Sequence, residues 1–333
     1  MSNGKNNSLI FICDNGKSHF ALPILKYLST NSLIYHSETK YDIFHRIKSK
    51  NKKIIWVEWA RRQAQYMSNY ITSGQKLFIR LHRFEMDDIN TLKQIKWVNV
   101  HTVIFVCTEL QKQFSLLFPN VNTIMIPNAI ETSLFNIKEN DGENSLLAFG
   151  AQFDPRKGYD RLIKMFSQVI NKDVSFSLTI AGKIPTNHIN QQYFDYCSKL
   201  INELDLTEYC HIKKLIIDKY ELKNQSNAIG LLQNHNAIIS YSESESFHYS
   251  FAEGLLSGLA GFCNGWRELN PYEFWKDYCY KDEEKFINGL LDWGQLSVSD
   301  RIKIGTINRD YIINNFSSEV IGKKYSKLFI ESL

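Results

Sequence analysis

Residues 237–258 read AIISYSESESFHYSFAEGLLSG. The first four, Ala237 to Ser240, are small or β-branched and suit a short buried strand. A polar turn follows. From about Ser250 to Leu259, apolar residues then recur with helical spacing. Strand, turn and helix form half of a βαβ unit, and such units build parallel sheets covered on both faces. The turn carries two carboxylates. Glu245 lies in the loop and Glu253 in the first turn of the helix, with seven residues between them.

The same alternation runs outward in both directions. Upstream, strand patterns occur at Leu9–Cys13, Ile54–Trp59, Lys76–Leu81, Thr102–Cys107 and Asn122–Ile126, with helical patterns such as Phe20–Leu28 and Glu109–Leu117 between them. Lys138–Ser145 (KENDGENS) is polar and contains glycine, which reads as a linker. The alternation restarts at Leu146–Gly150 and continues through the helix Tyr159–Ile170, the strand Ser175–Gly182, the helix Gln191–Leu204 and the strand His211–Leu215. Val298–Leu333 holds two helical patterns.

The expected fold is therefore α/β, with two Rossmann-like doubly wound domains. Domain 1–137 comes first and 138–305 second. Residues 306–333 form a C-terminal helix that crosses back to the first domain.

The chain has 333 residues, 44% of them hydrophobic and 22% charged, enough apolar material for two cores. The net charge of +4 comes without a Lys/Arg run, which argues against nucleic acid and leaves room for an anionic substrate. The six cysteines contain no C-x-x-C pair and read as buried thiols in a reducing compartment. The first residues lack an apolar signal segment, and no apolar run is long enough to span a bilayer. The expected location is cytoplasmic, with peripheral association at the inner face of a membrane as a further option. Oligomeric state is left open.

A strand-to-helix turn presents unsatisfied N–H groups at the positive end of the helix dipole, which favours an anion. The amides of Ser250 and Phe251 are the candidates for holding a diphosphate. Glu253, one turn in, can accept hydroxyl hydrogen bonds from a ribose, and Glu245 can reach a sugar hydroxyl.

Ser240–Gly258 resembles the E-x7-E motif of retaining glycosyltransferases of the GT-B type, in particular family GT4 (glycosyltransferase group 1). Ser242, Glu245, Phe247, Glu253 and Gly258 are in register. His248 stands where Gly is usual, and Gly254 where Ala is usual. Phe149–Leu162 (FGAQFDPRKGYDRL) is similar to the segment that opens the second domain in that family, with Lys157 and Gly158 in register. Ala151 takes the place of the usual Arg, and Arg156 is the candidate substitute. Ile126–Phe135, Phe105–Glu109 and Ser177–Gly182 also resemble family segments, in the family's order.

The resemblance implies two domains facing across a cleft, the first binding the acceptor and the second the nucleotide-sugar. It implies a retaining, metal-independent hexosyltransferase that moves a sugar from a nucleotide diphosphate donor to a glycan or lipid-linked acceptor. Bacterial surface polysaccharide or glycoconjugate assembly is the expected setting. No cofactor is expected beyond the donor as co-substrate, with a UDP-sugar the leading choice.

Lys157, with Arg156, would hold the diphosphate, and Glu245 the sugar. His82, at the end of LFIRLHRFE (Leu77–Glu85), would donate to a sugar hydroxyl or orient the acceptor. Gly16 lies in the first strand-to-helix loop, where lack of a side chain allows close ligand approach. Trp56–Tyr70, with Arg61 and Arg62, reads either as an acceptor or lipid-phosphate site or as the start of a surface helix. Trp266 and Arg267 follow the strand after the Glu253 helix, with no assigned role.

No D-x-D, Walker A or G-x-G-x-x-G element occurs, which argues against a metal-diphosphate site of that type, a P-loop kinase and a dehydrogenase. Two other readings stand beside the transferase: a non-catalytic subunit that binds sugar nucleotide or glycan, and a GT-B nucleotide-sugar epimerase.

Overall fold

The structure is a computed structural model that describes residues 9–14, 17–29, 34–37, 54–139, 141–150, 153–183, 185, 187–215, 229–264 and 272–333. Gly16, Ala151, Trp266 and Arg267 lie outside the described residues. The chain divides into two compact units. The first comprises 1–131 with 315–333, and the second 132–314.

In the first unit six strands, β1 (Leu9–Ile12), β2 (Ile34–Ser37), β3 (Ile54–Glu58), β4 (Lys76–Leu81), β5 (Thr102–Phe105) and β6 (Thr123–Met125), form one parallel sheet. Its order is β2-β1-β3-β4-β5-β6. Runs such as IIWVE in β3 are buried along their whole length, as expected for strands covered on both faces. The sequence pattern does not signal β2. Its tetrapeptide IYHS is half polar and sits at the sheet edge.

The chain returns to this unit at its end. The helix Val298–Phe316 runs unbroken through residue 306, so the boundary expected there falls inside a helix. No glycine or proline marks the true break. It comes at Ser317, which caps the next helix, Ser318–Glu331. Tyr325 and Phe329 of that helix pack on Trp56 of β3, with ring centroids 4.9 and 6.0 Å away, and Phe11 of β1 meets the same indole edge-on at 5.0 Å.

In the second unit β7 (Asn144–Gly150), β8 (Phe176–Lys183), β9 (Cys210–Leu215), β10 (Ala237–Ser240), β11 (Ala260–Asn264) and β12 (Cys279–Tyr280) form another parallel sheet. Its order is β12-β11-β10-β7-β8-β9. The helix Tyr159–Ile170 buries Leu162, Ile163, Phe166, Val169 and Ile170, an i, i+3, i+4 face.

The polar stretch Lys138–Ser145, expected as a linker, belongs to this unit. Its polar groups find partners there. Lys138 donates to Asn236 at 2.5 Å, and Arg301 donates to the carbonyls of Gly142 and Glu143 at 3.0 Å each. All six cysteines are free and five are buried. Among the described residues no helix is long and apolar enough to cross a membrane.

Trp56 holds the C-terminal helix to the first sheet and is fully buried. Trp56→Ala is expected to cost about 3–5 kcal/mol, read as a lowered denaturant midpoint.

Candidate functional site

In the second unit the strand order reverses between β7 and β10. The chain runs from β7 outward to β8 and β9, then returns to place β10 on the other side of β7. The carboxyl ends of these two strands, at the reversal, are the usual ligand position in an open α/β sheet. Arg156 and Lys157 come from the β7 loop, and Glu245 comes from the β10 loop.

Asp154 accepts from the Arg156 amide at 2.9 Å and starts a short 3-10 turn, Pro155–Lys157. Gly158 ends the turn with φ +64°, and a Cβ there would lie 2.3 Å from the carbonyl oxygen of Tyr241. Only glycine permits both the left-handed backbone and that approach. The β7 loop is thereby pressed against the β10 loop, and the Glu243 amide donates to the Arg156 carbonyl at 2.8 Å.

Three donors converge on Glu245 Oε1. Lys157 Nζ lies at 2.6 Å, Arg156 Nη1 at 3.0 Å and Ser242 Oγ at 3.1 Å. Arg156 also donates to the carbonyl of Ser244. Burial opposes ionisation of Glu245, but Lys157 and Arg156 outweigh it and hold the carboxyl well below the usual carboxylate range.

Two unit charges about 3 Å apart attract by about 5 kcal/mol at an effective dielectric of about 20. Desolvation costs several kcal/mol per ion. The cluster is thus near break-even for stability, and its effect is to fix geometry. It also retains one net positive charge, two cations against one carboxylate. Glu245 Oε2 makes no hydrogen bond to the described residues, so it remains open to a ligand hydroxyl.

The helix Tyr249–Leu256 starts beside this cluster. Its cap is His248, with φ +50°, a left-handed conformation unusual for a residue with a side chain. That conformation accounts for the glycine seen here in the family pattern. The His248 ring stays because it is held on both sides. Nε2 lies 2.7 Å from Ser240 Oγ, and Nδ1 accepts from the Phe251 amide at 3.4 Å. Burial lowers the His248 pKa to about 3, with Lys157 and Arg156 adding to the effect against the pull of Glu245. The neutral ring therefore occupies the Phe251 amide. The Ser250 amide makes no hydrogen bond to the described residues, while the Ser250 hydroxyl donates to the Phe149 carbonyl at 2.6 Å.

Glu253 lies one turn into the helix. It is partly exposed at the surface, and the protein packed around its carboxyl raises its pKa to about 7. Among the described residues the carboxyl has no hydrogen-bond partner or ion pair. A partly exposed carboxyl with both oxygens unspent is suited to receive hydroxyl donors. Gly254, where the family pattern has Ala, packs this helix on the sheet, since a Cβ would fall 2.6 Å from the Cβ of Ile238.

His82 belongs to the first unit. Its Nε2 sits 2.7 Å from Glu58 Oε1, and its ring stacks on Trp59 with centroids 4.1 Å apart. Glu58 is also bound by Arg80 at 3.3 Å. The two lie opposite each other in the β3–β4 register, both fully buried. Burial opposes the charge on Glu58, but Arg80 and His82 keep it ionised. An ionised carboxylate only accepts, so the Nε2–H of His82 is spent on it. The expected donation from His82 to a sugar hydroxyl is therefore not available from Nε2. Sequence reading missed this Glu58–Arg80 pair, because charged residues inside strand patterns read as exceptions. It also missed the Ser240–His248 contact, whose only signal was a histidine in place of glycine.

Two parallel α/β units, one carrying a cationic cluster and a capped helix start at its switch point, have the architecture of the GT-B fold. Residues 130–260 match the family described as "Glycosyl transferases group 1". Solved structures carry the same fold over nearly the whole chain. Sucrose-phosphate synthase from Thermosynechococcus elongatus has a TM-score of 0.71 at 12% identity, covering 98% of this chain and 99% of that one. A glycosyltransferase from Rickettsia africae has 0.71 at 15%, covering 98% of each. HepE from Anabaena has 0.70 at 13%, covering 98% and 100%. Likeness at these identities speaks for the fold alone. No curated protein matches the chain significantly in sequence.

Glu245 has a depressed pKa, so its stabilisation is complete above the ordinary carboxylate value of 4.5 and is lost as the pH falls below it. Glu245→Gln should therefore lower the unfolding free energy near neutrality. The gap between variant and wild type should shrink in acid, as followed by urea denaturation at a series of pH values.

Proposed function

We propose that the chain is a retaining hexosyltransferase that takes its sugar from a nucleotide diphosphate donor, with a UDP-sugar as the leading donor. The observation that carries this reading is the switch-point cluster of Lys157, Arg156 and Glu245, with the unpartnered carboxyl of Glu253 in the helix that follows.

The reaction breaks the bond between the sugar and the diphosphate, so charge develops on the departing phosphate. Lys157 and Arg156 supply the positive charge, and the free Ser250 amide adds a donor at the helix start. Glu253 receives the ribose hydroxyls. Glu245 keeps both cations in place and offers its second oxygen to a sugar hydroxyl. With one oxygen already holding two cations, Glu245 is a weak base. The donor phosphate is then the group that takes the acceptor proton, on the same face the sugar leaves from, and the anomeric configuration is retained. The cations do the electrostatic work that a divalent metal does elsewhere, so turnover is metal-independent. HepE, which shares the fold, was crystallised with UDP and glucose and with UDP-glucose. The acceptor is a glycan or lipid-linked glycan, in surface polysaccharide or glycoconjugate assembly.

A panel of UDP-, GDP- and ADP-sugars tests the donor directly through thermal stabilisation, since a ligand of the native state raises the melting temperature. UDP-sugars are expected to shift it most. Donor turnover in the presence of EDTA, with the product anomer read by proton NMR, tests the chemistry. Lys157→Ala should lower kcat by about 100-fold or more. Tight donor binding with no turnover on any acceptor would instead identify a non-catalytic subunit.

Glu253 adds a pH signature. Its raised pKa means the carboxylate form, which accepts ribose hydroxyls, gains population as the pH rises through about 7. Donor affinity should therefore increase across that range in the wild type and stay flat in Glu253→Gln, as measured by calorimetric titration.

A further inference from the structure

The first unit has a switch point of its own. The chain passes from β1 to the edge strand β2 and returns to place β3 on the other side of β1. At the carboxyl ends of β1, β3 and β4 there is a cavity of about 320 Å³, lined by Asp14, Arg61, Arg62, Phe84, Glu85 and Asp88, among others. All of its lining residues belong to the first unit.

Five of these residues are charged, and their hydrogen bonds decide what the cavity can bind. The acids are spent internally. Asp14 accepts from Gln63, with Lys17 3.6 Å away. Asp88 accepts the Thr91 amide at 3.1 Å and the Thr91 hydroxyl at 2.5 Å. Glu85 accepts the His82 amide at 2.8 Å on one oxygen and Arg61 Nε at 3.1 Å on the other. Burial also raises the Glu85 pKa to about 7, which reduces its negative charge near neutrality.

The donors are not spent. Arg61 uses only Nε, which leaves both terminal amino groups open. Arg62 is exposed and makes no hydrogen bond or ion pair to the described residues. Two guanidinium forks with free N–H groups beside carboxylates already occupied favour an anionic ligand group. Phe84, 58% exposed, adds an aromatic surface against which the apolar face of a sugar ring can pack.

We propose that this cavity binds a phosphate-bearing polyhydroxy compound as the acceptor, with Arg61 and Arg62 gripping the phosphate. The inference deepens the transferase reading and rests on it for the word acceptor, while the binding itself can be measured alone. Calorimetric titration with glucose 6-phosphate and with glucose, each run with and without saturating UDP, compares ligands that differ only in the phosphate. Glucose 6-phosphate should bind at least about tenfold more tightly. Arg62→Gln, at an exposed position, should abolish that preference while leaving UDP affinity as in the wild type. Equal binding of the two sugars, binding of neither, or a preference that survives Arg62→Gln overturns the proposal. A preference that is present while UDP fails to bind upholds it and overturns the donor reading instead.

Discussion

One carboxylate oxygen, Oε1 of Glu245, joins two loops that lie nearly ninety residues apart in the chain. The β7 loop delivers Arg156 and Lys157, and the β10 loop delivers the acid. Without the acid, two cations would sit partly buried against each other. Without the cations, an enclosed carboxylate would take up a proton. Each side is tolerable only because of the other, and this mutual dependence fixes the two loops against each other. The Gly158 turn, the Glu243–Arg156 backbone bond and the start of the helix at Tyr249 all conform to it.

The two units apply one topological rule to different side chains. In each, the strand order reverses beside the first strand, and one of the two loops at the reversal carries arginine. In the second unit the cations are held by a partly buried acid, and a second acid, in the following helix, is unpartnered. In the first unit the acids accept from amide and hydroxyl donors and from Arg61 Nε, while the terminal amino groups of Arg61 and the guanidinium of Arg62 make no hydrogen bond among the described residues. The fold supplies the location in both cases, and the distribution of spent and unspent hydrogen-bonding groups supplies the chemistry.

Much of this was legible in the sequence. Strands such as Lys76–Leu81 and Ala237–Ser240 and the helix Tyr159–Ile170 coincide with their apolar patterns, because burial on both sheet faces demands continuous apolar runs. The structure brings Glu245, Lys157 and Arg156, expected from spacing and resemblance, into one cluster and places Glu253 in the helix that follows. What sequence could not reveal were pairings that only the register creates. Glu58 and Arg80 are charged residues inside apolar strands, and their position opposite each other follows from how β3 and β4 align. The spending of the His82 Nε2–H is a consequence of that alignment. The polar stretch at 138–145 was misread as a linker because composition cannot tell solvated polar groups from groups paired to Arg301 and Asn236.

The left-handed backbone at His248 carries a different kind of consequence. A residue with a side chain held at φ +50° costs roughly 1–2 kcal/mol. The cost is met by Ser240 and by the helix amide, which lock the ring in place. A loop locked in this way has already lost its conformational entropy before any ligand arrives. Binding then need not order the loop, and more of the contact energy appears as affinity. A glycine at the same position would relax the strain but return that freedom to the empty site. The histidine thus trades folding free energy for preorganisation, moving the entropic cost from the moment of binding to the moment of folding.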